Sequence, residues 1–212
     1  MFGWGLPLTD WFALLGISLV LCAGLLTLLA SWRAVAKRMT VVRLVAVCCF
    51  VLLWIPVGAA HMPVVAYVRG ITADFSITFI ALAVWRICHL AFIFQPVPKR
   101  EGMAVMVAVA LAAVFLYPLA LGWGDWDAYG PGWGSWGMLL ALLLLCAVCL
   151  AKGFKVLPAL VALALMAWSL GLMESGNLWD YLLDPWLSIF ALAHLGKIVF
   201  IKCSRLLVGR LR

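Results

Sequence analysis

Charge in this chain is sorted by the apolar segments that separate it. Twelve of the fifteen Lys and Arg residues fall in four short breaks: Arg33, Lys37, Arg38 and Arg43; Lys99 and Arg100; Lys152 and Lys155; and Lys202, Arg205, Arg210 and Arg212. Seven of the eight acids, Asp10, Asp74, Asp125, Asp127, Glu174, Asp180 and Asp184, fall in the alternate breaks. A chain threading a bilayer keeps the Lys and Arg of its short loops on the cytoplasmic side. The sorting therefore predicts a membrane chain with its N-terminus outside and its C-terminus in the cytoplasm.

Composition agrees with the charges. With 68% hydrophobic and 11% charged residues and a mean hydropathy of +1.19, the chain has more apolar surface than a water-soluble core could hide. Its length leaves room for about seven crossings and little else. The expected fold is an all-α polytopic membrane bundle, a single integral-membrane domain over residues 1–212. Its spans are expected at 8–31, 41–60, 75–95, 103–122, 137–152, 156–173 and 183–201, each a helix because only a helix satisfies its own backbone in hydrocarbon. The segment 137–152 is the shortest, about 24 Å long, and needs a thinned bilayer or anchoring by Trp136.

The N-terminus has no basic stretch and carries Asp10 ahead of the first apolar run, the reverse of a cleavable signal peptide. It is read as a retained helix. The net charge of +7 belongs with loops facing anionic lipid rather than with nucleic acid. All seven cysteines fall in spans or at the cytoplasmic end, so no disulfide framework is expected. Cys146 and Cys149 form a CxxC without His or acid neighbours and read as small apolar filler. Pro56 and Pro118 are expected to kink the second and fourth helices, and Pro158 to sit at the start of the sixth.

The most costly residue is Arg86, placed by its count from Phe75 about 16 Å into a core about 30 Å thick. His89 follows one turn later on the same face. An intramembrane Arg marks a functional site unless it serves the backbone of a kinked neighbour. No acid is expected at its depth, so the cation must meet carbonyls, water or an anionic ligand. The seventh segment carries His194 and Lys197, also one turn apart, with Lys197 able to snorkel toward the cytoplasm. Should the third and seventh helices touch, Arg86, His89, His194 and Lys197 form a cationic cluster that calls for a phosphate-bearing headgroup or a carboxylate. His89 and His194 on separate helices also raise haem b as a cofactor. Otherwise no cofactor is implied.

The outer loop between the fourth and fifth segments alternates Gly with Trp123, Trp126, Trp133 and Trp136, and includes Asp125 and Asp127. Gly and Pro make it turn-rich. Its tryptophans fit an aromatic belt at the headgroup level, or a platform for a sugar ring or a protein partner. The paired acids offer too few ligands for a metal. Asp74 and Asp184 are expected to cap the helices they precede. An enzyme would need Asp125, Asp127, His61 and Glu174 to converge on an outer cavity, since no Ser-His-Asp order, HExxH or phosphate loop is present.

The function expected is non-catalytic. It is a module of a bacterial inner membrane that binds an anionic lipid or a lipid-linked envelope intermediate, beside a membrane or periplasmic partner. A small-solute or lipid transporter and a membrane enzyme are the alternatives. The topology has a direct test. Alkaline phosphatase fused after Gly130 is expected to be active outside the cell, and a fluorescent protein fused after Phe154 to fold inside. The opposite pattern would invert the orientation.

Overall fold

The computed structural model describes residues 7–31, 39–92 and 94–210. Arg33, Lys37, Arg38 and Arg212, with the side chains of Arg205 and Arg210, lie outside the described residues. The protein is mostly helical, with nine α-helices among the described residues: α1 (Leu8–Ala30), α2 (Met39–Leu53), α3 (Val64–Thr72), α4 (Ile77–Ala91), α5 (Lys99–Ala120), α6 (Trp136–Ala151), α7 (Val156–Ser169), α8 (Leu178–Leu182) and α9 (Pro185–Arg210). Two-residue strands, β1 (Pro56–Val57) and β2 (Met62–Pro63), pair antiparallel. Among the described residues three helices are long and apolar enough to cross a membrane: Leu8–Ala30, Lys99–Ala120 and the Pro185–Ser204 part of α9. Four shorter apolar helices accompany them. These features are compatible with a membrane location.

The chain forms two compact units. One comprises residues 1–97 and 160–182, the other residues 98–159 and 183–212, and one boundary falls within α7. The first unit is organised around α1, which packs against α2, α3 and α4. Its centre is built from Leu14, Ile17, Val20 and Ala23 of α1 with Val65, Phe75 and Ala83. Close approach of α1 and α4 depends on Gly16, where a Cβ would come within 2.5 Å of Ile80 Cδ1. In the second unit α5 packs on α9 through a face that buries Val105, Val109, Ala113 and Leu116.

Several boundaries differ from the sequence expectation. The second segment does not run to residue 60. Its helix ends at Leu53, and Pro56 begins the hairpin instead of kinking a helix. Without an N–H, Pro56 cannot continue the ladder, and Trp54 and Ile55 already bond three residues back to Val51 and Leu52. The break after it contains a helix, α3, that was not expected. Pro118 does lie inside a helix, two residues before α5 ends.

The sole acid among the cationic breaks, Glu101, has a local structural role. Its carboxylate accepts the backbone N–H groups of Lys155 at 3.0 and 3.1 Å and of Val156 at 3.0 Å. These are orphan donors at the start of α7, where negative charge also meets the helix dipole. Its neighbour Arg100 donates to the carbonyl of Lys152 at 3.1 Å, just past α6, and lies 4.3 Å from the Phe154 ring centroid. Positive φ at Gly153 (77°) lets the chain turn between the two helix ends. Replacing Glu101 with Ala is expected to cost about 0.5–2 kcal/mol, read as a lowered Tm in lipid, with Glu101→Gln losing less.

Candidate functional site

The first unit gathers its charges at its two ends. At the end where α1 begins, Arg69 of α3 meets three carboxylates. Its Nη1 donates to Asp10 Oδ1 at 2.5 Å, while Nε and Nη2 reach the two oxygens of Asp74 at 2.7 and 3.1 Å. Glu174 Oε1 stands 3.2 Å from Nη2. The bonds to Asp74, then Asp10, hold the guanidinium firmly in its charged form against the opposing effect of burial. Asp10 and Asp74 side chains are 14% and 19% exposed, whereas Glu174 is 61% exposed. The pairs with Asp10 and Asp74 therefore bind more strongly than the solvated third.

This arrangement corrects one expectation. Asp74 does not cap the helix it precedes; its carboxylate is engaged by Arg69. Ser76 takes the cap, with its hydroxyl accepting from Phe79 N at 3.2 Å. Asp184 does cap its helix, accepting from Leu187 N at 2.8 Å while 3% exposed.

Toward the other end of the unit, Arg43 Nε donates to the carbonyl of Ala91 at 2.7 Å, closing the end of α4. Arg86 of α4 is half-buried, and its Nε donates to Thr27 Oγ1 of α1 at 3.1 Å. Thr27 is three residues from the end of α1, about 12 Å past its centre. Measured along α1, Arg86 thus stands nearer the C-terminal end of that helix than its middle. No carboxylate pairs with it among the described residues. Sequence reasoning missed Thr27, although it is the one hydroxyl residue in the apolar run Leu25–Ala30.

His89, one turn on, has Nδ1 2.9 Å from the carbonyl oxygen of Phe94. A carbonyl only accepts, so Nδ1 carries the proton. Trp85 Nε1 likewise donates to the carbonyl of Gln95 at 3.0 Å. Together they fold the segment after α4 back along its last turns.

His194 and Lys197 belong to the second unit. Both are exposed on α9, and the His194 ring lies against Phe190 with centroids 6.2 Å apart. Arg86 and His89 are thus in one unit and His194 and Lys197 in the other. Haem rests on the two histidine identities alone. All seven cysteines are free thiols. Among the described residues no group of three or more His, Cys, Asp or Glu could hold a metal ion.

The Trp-rich loop belongs to the second unit and follows α5. Trp123, Trp126, Trp133 and Trp136 are all exposed. Trp126 packs edge-on with Phe115 at 5.3 Å, and Tyr129 does so with Trp133 at 6.3 Å. The two acids differ in role. Asp127 Oδ1 accepts the N–H groups of Tyr129 at 3.0 Å and Gly130 at 2.8 Å, and so builds the turn. A Cβ at Gly130 would come within 2.5 Å of Asp127 Oδ2. Asp125 has no hydrogen-bond or ion-pair partner among the described residues. Of the four residues an enzyme would need, Asp125 and Asp127 lie in the second unit, and His61 and Glu174 in the first. His61 is exposed at the hairpin tip, with φ 48°.

No protein-family model matches this sequence, and no curated protein or solved structure shows significant similarity to it.

Removing Arg69 would leave three carboxylates facing one another. Arg69→Met is expected to destabilise the protein by about 1–3 kcal/mol, between the values for exposed and buried ion pairs. Adding Asp10→Asn and Asp74→Asn should restore part of the lost Tm, whereas Glu174→Gln alone should change it little. Thermal unfolding in lipid discs measures all three.

Proposed function

We propose that this chain is a seven-crossing membrane protein with its N-terminus outside, and that it binds an anionic lipid or lipid-linked envelope intermediate without catalysing a reaction. The observation that carries the reading is Arg86. It is a half-buried guanidinium in an apolar helix pair, bonded among the described residues to one hydroxyl and to no carboxylate. Arg69, comparably placed in the same unit, has three carboxylates. A guanidinium has five N–H donors in a planar fork suited to phosphate. At Arg86 a phosphate would supply the missing negative charge, with His89 one turn away. Lys197, with His194 one turn away, offers a separate cation on α9.

Two further observations support the reading. Within the first unit acid-bearing breaks meet at the start of α1, and within the second two cationic breaks meet where Arg100 grips the turn after α6. Breaks of like sign thus share an end in each unit, as the sorting rule expects. An open apolar groove of about 660 Å³ along α2, lined by Leu44, Cys48, Leu52 and Ile55 with Leu25 and Val64, suits an acyl chain. The inner membrane of a bacterium and an envelope-enzyme partner belong to the same proposal, because short basic loops match that setting.

Native mass spectrometry of the gently released protein tests it. The wild type is expected to retain an anionic phospholipid or lipid-linked phosphate, Arg86→Ala to lose it, and Arg86→Lys to keep part. Equal retention by Arg86→Ala would reject the site. Loss in Arg86→Ala with a collapsed Tm, and no rescue by Lys, would make Arg86 a structural residue.

A further inference from the structure

The Trp-rich loop builds an open groove of about 610 Å³ at the end of α5, lined by Gly122, Gly124, Asp125, Trp126, Asp127 and Tyr129 among others. Three properties of this groove together restrict what it can hold. Its charged lining residues are both acids, and no Lys, Arg or His is among them. Asp127 is committed to the turn through the Tyr129 and Gly130 amides, which leaves Asp125 free to meet a ligand. Its aromatic walls are braced from behind, Trp126 by Phe115 and Tyr129 by Trp133, so they need little ordering on binding.

A groove with two carboxylates, no compensating cation and braced π-faces favours a cation over a neutral sugar. The ring quadrupole attracts an ammonium, and more strongly when water is displaced. Asp125 supplies the counter-charge. On the membrane reading proposed above, its location at the end of an apolar helix, amid exposed tryptophans, is the depth at which phospholipid headgroups lie.

We propose that this groove is a binding site for an organic ammonium group, with Asp125 as its ion-pair partner and Trp126 and Tyr129 as its walls. The ammonium comes from a zwitterionic phospholipid headgroup or from a free amine. The site is independent of Arg86, because it lies in the other unit and selects the opposite charge.

Calorimetric titration of the full chain in a polyoxyethylene detergent, which has neither sugar nor charge, tests this with four probes: choline, lysophosphatidylcholine, the uncharged carbon isostere of choline, and glucose. Saturable binding of lysophosphatidylcholine alone identifies a lipid headgroup as the source, and binding of free choline identifies a soluble amine. In either case Asp125→Asn and Trp126→Leu should each weaken binding on the order of tenfold. Both residues are exposed, so folding should survive, and an unchanged Tm verifies it. Equal binding of the uncharged isostere, binding of glucose alone, unaltered binding by Asp125→Asn, or no saturable binding would each overturn the proposal.

Discussion

Arg69 holds one end of the first unit together. Its guanidinium draws the start of α1, the link between α3 and α4, and the segment after α7 to one point through Asp10, Asp74 and Glu174. Around it α1 packs on three helices, with Gly16 allowing Ile80 close. Such a clasp matters more where apolar packing alone cannot distinguish helix from lipid, because hydrocarbon solvates Leu as well as a neighbouring helix does. Directional polar contacts can then select one helix arrangement. Ser18, bonded to Leu14 O, and Arg43, bonded to Ala91 O, satisfy polar groups within the same unit.

The two exceptions to the charge sorting are instructive together. Arg69 is a cation among acidic breaks, and Glu101 is an acid among cationic ones. Each is accounted for by immediate partners: three carboxylates for the first, two backbone N–H groups for the second. The sorting rule describes where free charge resides, and neither of these charges is free. Arg86 is different, since among the described residues its one bond is to a neutral hydroxyl. This contrast, rather than position alone, is what the proposed site rests on.

The Trp-rich loop shows how identical residues acquire different roles. Asp125 and Asp127 look equivalent in sequence, yet one builds a turn and the other faces a groove. The Gly at 130 leaves room for Asp127 Oδ2 where any side chain would intrude. Trp126 is held by a ring contact that no spacing rule would identify, because Phe115 lies eleven residues before it, inside the preceding helix.

Sequence by itself determined the class. The helical segments follow from apolar runs punctuated by Gly, Pro and charge, because backbone groups shielded from water by apolar side chains must pair within their own helix. Seven of the helices fall on segments read from those runs, and Arg86, Lys197 and the Trp-rich loop stood out for their cost or composition. Tertiary structure decided what those groups meet. Thr27 lies 59 residues from Arg86, Asp10 lies 59 from Arg69, and Glu101 lies 54 from Lys155. Local periodicity carries no information about pairs so distant. The cap at Ser76 also depended on a partner's choice, because Arg69 engages the Asp74 carboxylate and the Ser76 hydroxyl accepts from Phe79 N. Apolar patterning marks which segments become helices, whereas the pairing of their few charges is settled only when the helices come together.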